Sequence, residues 1–66
     1  MKVHTGRFEA SHGKKPRGKG IWTFELSGSF RGIPTEFQAT GTYTEARKEV
    51  AKEAKDLGYT LVTLLP

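Results

Sequence analysis

Trp22-Thr23-Phe24-Glu25-Leu26-Ser27-Gly28-Ser29-Phe30-Arg31-Gly32-Ile33-Pro34-Thr35-Glu36-Phe37-Gln38-Ala39-Thr40-Gly41 is the stretch from which the architecture follows. Apolar and polar residues alternate along both of its arms, the pattern of half-buried strands. With a two-residue turn at Arg31-Gly32, Phe30 faces Ile33, Leu26 faces Phe37, Phe24 faces Ala39 and Trp22 faces Gly41. All of these lie on one sheet face. Thr23, Glu25, Ser27, Glu36, Gln38 and Thr40 lie on the other. One register that sorts apolar from polar so cleanly predicts a long antiparallel hairpin. Gly32 suits a positive φ at the second turn position. Pro34, which has no amide to donate to a ladder, falls beside the turn. A wider turn around Gly28-Ser29 is the competing expectation.

A helix is predicted next. Thr42 and Glu45 have capping-box spacing, and Thr44 is the alternative cap. Ala46, Val50, Ala54 and Leu57 recur at four, four and three residues and form one apolar stripe. The alanines near it would let the helix sit close to a sheet. Arg47, Lys48, Lys52 and Lys55 balance Glu45, Glu49, Glu53 and Asp56, so the outer face reads as solvated and weakly paired. Gly58 is placed to end the helix. Tyr59 to Leu65 then reads as an apolar strand, parallel to the first and third strands if a crossover carries the chain back over the sheet. Lys2 to Ala10 is predicted as the first strand, with a bulge at Gly6 that brings Val3 and Phe8 to one side. Docking of the last strand beside the first gives the order 3-2-1-4. The expected fold is therefore α+β, a three- to four-stranded, mainly antiparallel sheet against one helix (β-β-β-α-β), in one domain over residues 1–66.

Residues 11–20 complete that domain as a flexible basic loop, with three glycines and a proline among charges. His12 to Gly20 holds Lys14, Lys15, Arg17 and Lys19 and no acid, which equals the whole formal net charge of +4. Residues 1–31 carry seven Lys/Arg and two Glu, whereas residues 32–66 carry four Lys/Arg and five Asp/Glu. The cationic excess belongs to the amino-terminal half. A basic loop beside a small sheet suits a phosphate backbone.

Other chemistry is poorly served. There is no cysteine, hence no disulfide, no thiolate nucleophile and no redox requirement. No apolar run approaches the roughly 20 residues of a bilayer span, and the first residues lack the apolar segment of a signal peptide. A soluble, cytoplasmic protein is expected. Gly13 to Gly20 nearly spells a phosphate-binding Walker loop, but Gly20 stands where Ser or Thr should hold magnesium, and a strand follows where a helix is required. His4 and His12 are the only histidines, with no carboxylates at metal-ligand spacing. Ser11 and His12 adjoin in sequence without an acid to orient a base. No enzyme, metal or cofactor is expected.

The segment Gly20-Ile21-Trp22-Thr23-Phe24, the returning strand, and Thr42-Tyr43-Thr44-Glu45-Ala46 opening a helix resemble the amino-terminal arm-binding domains of tyrosine recombinases. The DNA-binding domains of plant ethylene-response factors share that layout. The resemblance covers roughly residues 18–58. It implies a three-stranded sheet backed by a helix, with the open sheet face in the DNA major groove, and base or sugar contacts from Arg7, Thr23, Ser27, Gln38 and Thr40. This chain departs from the pattern in offering Glu25, Glu36 and Glu9 on that face, and in its trailing strand. Trp22, Phe24, Phe30 and Phe37 are expected to pack under the helix, not to stack on bases. The expected function is non-enzymatic binding of nucleic acid, foremost duplex DNA. Lys14, Lys15, Arg17 and Lys19 would hold phosphates, supported by His12 and, at the sheet edge, by Arg7 and Arg31. The alternative is a phage- or plasmid-type interaction module that binds an acidic protein surface or adds a strand at its sheet edge. The chain is expected to act as a monomer or as a homodimer through its carboxy-terminal strand.

Overall fold

The computed structural model describes residues 2–28 and 33–66. Six elements follow in order: β1 (Val3–His4), α1 (Gly6–His12), β2 (Lys19–Ser27), β3 (Thr35–Thr42), α2 (Tyr43–Leu57) and β4 (Leu61–Leu64). They form an α+β fold, as expected, with a four-stranded mixed sheet in the order β1-β4-β2-β3.

The hairpin forms, but two residues away from the expected register. Trp22 pairs with Ala39, Phe24 with Phe37 and Leu26 with Thr35. A shift of two preserves every side chain's face, so the alternation alone could not tell the two registers apart. Trp22, Phe24, Leu26 and Ala39 are buried, while Glu36, Gln38 and Thr40 are exposed. The turn expected at Arg31-Gly32, and Phe30 with it, lie outside the described residues. Ile33, expected on the apolar face, is 69% exposed and stands outside the hairpin pairing, before β3 begins at Thr35.

α2 begins at the capping box. The Thr42 hydroxyl accepts from the Glu45 amide at 3.2 Å, and the Glu45 carboxylate accepts from the Thr42 amide at 3.0 Å. Ala46, Val50 and Ala54 are fully buried against the sheet. Leu57 does not complete the stripe. It is 56% exposed in the last turn, next to the point where Gly58 closes the helix. The closure is a Schellman motif, in which Gly58 N–H donates to the Lys55 carbonyl and Tyr59 N–H to the Ala54 carbonyl.

Two expectations about the ends of the chain are corrected. Residues 2–10 are not one bulged strand. Val3–His4 is a short strand, and Gly6–His12 is a helix. Val3 and Phe8 do reach the same core, through this change of structure and not through a bulge. Arg7, Glu9 and Ala10 favour the helix, whose first backbone bond runs from the Glu9 amide to the Thr5 carbonyl at 2.9 Å, while the Thr5 hydroxyl donates to the Glu9 carboxylate. The strand order is also different. β4 runs parallel to β1, as expected, but lies between β1 and β2 and pairs antiparallel with β2. Val62 and Leu64 have no exposed surface and require an interior strand, a place the two-residue β1 cannot fill. Both edges of β4 are thus occupied within the chain, and a homodimer through the carboxy-terminal strand would require β1 to leave.

Phe8 meets Trp22 at 5.8 Å between ring centroids, and Trp22 meets Tyr43 at 5.1 Å. Both helices therefore cover the same sheet face, and their side chains join one core. The opposite face carries Ile21, Thr23, Glu25, Ser27, Glu36, Gln38 and Thr40, and among the described residues no helix covers it.

Candidate nucleic-acid interface

One end of the sheet collects the basic segment. β1 and β4 both run toward the end where β2 starts and β3 finishes, as the pairings Lys19–Thr42 and Phe24–Leu64 show. α1, the connection 13–18 and the first turn of α2 all belong to this end. The expected loop of residues 11–20 is shorter in the structure, since Ser11 and His12 complete α1 and Lys19 and Gly20 open β2.

The connection is tied at both ends. Gly13 ends α1 with φ 71° and donates its amide to the Glu9 carbonyl at 2.8 Å. Gly18, with φ 87°, accepts from the Tyr43 amide at 3.0 Å. Both glycines hold left-handed backbone that side chains with a Cβ rarely adopt. Between them Lys14, Lys15 and Arg17 are exposed, and Pro16 is half-buried. Lys19 is exposed as the first residue of β2. By strand alternation it shares the open face with Ile21 and Thr23.

The remaining expected site residues are placed differently. His12 is an exposed residue of the last turn of α1, not of the loop, and its ring stacks on Phe8 with centroids 4.2 Å apart. Arg7 is exposed on the first turn of α1, not on a sheet edge, because that strand has become a helix. Arg31 lies outside the described residues. The structure thus unites Lys14, Lys15, Arg17, Lys19 and His12 at one end of the sheet, with Arg7 on the adjoining helix.

The nearby carboxylates are engaged elsewhere. Glu9 takes the Thr5 hydroxyl, and Glu45 takes the Thr42 amide and hydroxyl. Those two bonds, the backbone one foremost, lower the Glu45 pKa from its ordinary value. Two of the first-turn amides of α2 are also committed: Tyr43 N–H goes to Gly18 and Glu45 N–H to Thr42. Burial raises the Tyr43 pKa against a smaller opposing effect of Arg47. Tyr43 is half-buried between Trp22 and Phe24 and belongs to the packing of this end.

Trp22 and Phe24 are buried, as expected, and Trp22 donates its indole N–H to the Gly41 carbonyl at 3.1 Å. These rings support the site from beneath. α1 is the part that sequence reasoning missed. The available signal was the four-residue spacing of Phe8 and His12 between Thr5 and Gly13, a helix with both its stops.

The open face departs from the layout suggested by the recombinase resemblance. Residues 18–58 supply β2, β3 and α2, and the third antiparallel strand beside β2 is β4. Glu25 stands directly opposite Glu36 at the middle of that face. No family model, no curated protein and no solved structure matches this chain.

Proposed function

We propose that this protein is a non-enzymatic nucleic-acid-binding module that holds the phosphates of duplex DNA with Lys14, Lys15, Arg17 and Lys19. The observation that carries this reading is the loop itself. Its cations are exposed and uninterrupted by acid, and it is anchored by Gly13 and by the Gly18–Tyr43 hydrogen bond. Ends held in this way lower the entropy lost on binding, and four ammonium or guanidinium groups suit a run of phosphates. His12 and Arg7 flank them. The opposed Glu25 and Glu36 make the open face unfavourable for phosphate, so contact falls at the sheet end. Such contacts position a protein without reading sequence.

The test is fluorescence anisotropy with a labelled random-sequence duplex at two salt concentrations. Binding is expected to weaken steeply as salt rises, in proportion to the phosphates neutralised. Replacing Lys14, Lys15, Arg17 and Lys19 together with Ala is expected to abolish binding and leave the circular dichroism spectrum unchanged. Affinity retained by that variant removes the proposal.

A second reading is favoured by one observation. β3 is hydrogen-bonded along one edge only among the described residues, so a partner protein could add a strand there. A stable protein complex with shallow salt dependence, and no affinity for DNA, would select it.

A further inference from the structure

Among the described residues, β3 is an unprotected edge. Natural edge strands are usually short, or carry lysine, proline or a bulge that discourages pairing with another chain. β3 is eight residues long, contains no Lys, Arg or Pro, and pairs continuously with β2 from Thr35 to Thr42. Its one charge is Glu36. The opposite border of the sheet is the two-residue β1, too short to offer the same template.

The edge is complementary to itself. A two-fold antiparallel pairing keeps like faces together only in alternate registers. Centred on Gln38, it sets Phe37 against Ala39 of the second copy on the helix-covered face. On the open face Glu36 meets Thr40 of the second copy, and the two Gln38 side chains meet on the axis. No like charges face each other. An amide both donates and accepts, so a pair of glutamines satisfies itself. Phe37, half-buried in one chain, gains a neighbour on its free flank. α2 packs mainly over β3 and β2. The two copies of α2 would therefore lie on the same face about 10 Å apart, near the usual helix-packing separation.

We propose that the protein self-associates through β3, as a two-fold antiparallel dimer centred on Gln38 with one continuous sheet. The dimer also sets the spacing of the basic loops, an argument that rests on the DNA reading above, whereas the edge chemistry does not. Each Lys19 adjoins Thr42, four residues from the axis along β3. Four residues on each side and three strand spacings across place the two loops about 30 Å apart. One turn of duplex DNA spans roughly 34–36 Å, the separation at which dimeric proteins meet successive half-sites.

Sedimentation equilibrium of the full chain tests this without DNA. A reversible, concentration-dependent dimer is expected. Gln38→Lys places two ammonium groups opposite each other on the axis and is expected to sediment as a monomer. Gln38 is exposed and, among the described residues, its side chain makes one long hydrogen bond, 3.5 Å to Thr23, so the circular dichroism of the variant should be unchanged. Thr40→Lys faces Glu36 of the second copy and is expected to keep the dimer. A wild-type chain that stays monomeric to its solubility limit overturns the proposal. So does a Gln38→Lys variant that still dimerises, or a Thr40→Lys variant that does not. A dimer with no affinity for DNA upholds self-association and removes the DNA reading alone.

Discussion

Thr42 does more than any other polar residue to place the basic end of the molecule. Its hydroxyl caps α2, its amide and hydroxyl both bond the Glu45 carboxylate, and its backbone pairs with Lys19. Thr42→Ala removes the side-chain part of this arrangement. The expected cost is about 1 kcal/mol, read as a lowered urea midpoint with unchanged slope. Glu45 adds a pH dependence of definite sign. Its folded pKa lies below the unfolded one, so its stabilisation is present above the unfolded pKa and is lost as pH falls through the folded value. Glu45→Gln should therefore flatten the acid limb of a stability–pH profile. An unchanged limb would mean that the carboxylate does not hold the cap in solution.

At the scale of elements, the sheet carries one unfavourable pair in plain view. Glu25 and Glu36 are directly opposite on adjacent strands, and like charges so placed destabilise. Glu36→Thr is expected to raise the thermal midpoint, with a gain of roughly 0.2–1 kcal/mol. A lowered midpoint would show that the carboxylate has a favourable partner. α2 was legible in the sequence, its end at Gly58 and its start at one of two caps, Thr42 or Thr44, because these are local signals that need no tertiary context; the structure selects Thr42. α1 was not. Val3 and Phe8, five apart, fall on opposite faces of a regular strand and needed a bulge at Gly6 to share a side, whereas a short strand followed by a helix brings both to one core without it.

The whole molecule rests on a small core. Phe24, Leu26, Val50, Val62 and Leu64 supply its largest fully buried side chains. A chain of this length has a stability on the order of 3–10 kcal/mol. Emptying the Phe24 site costs about 3–5 kcal/mol. Phe24→Ala is therefore expected to remove about a third or more of the stability, checked as a strongly lowered midpoint of the thermal melt followed by far-ultraviolet circular dichroism. A cooperative melt near the wild-type midpoint would mean that the core collapses around the gap.

The sequence by itself determined the apolar and polar faces of β2 and β3, the presence of α2 and its end at Gly58, and the concentration of charge between α1 and β2. Each of these depends on neighbours a few residues apart or on simple alternation. The two-residue step in hairpin register, the helix over residues 6–12 and the insertion of β4 between β1 and β2 were decided only by the tertiary structure. Alternation is blind to a shift of two, and the place of a strand in a sheet depends on which of its flanks other strands must bury. The same is true of the candidate site. The cations were visible as a run of residues, but their common end of the sheet, the anchoring of Gly18 to Tyr43 and the open edge of β3 exist only once β4 fills the interior of the sheet and leaves β3 at its border.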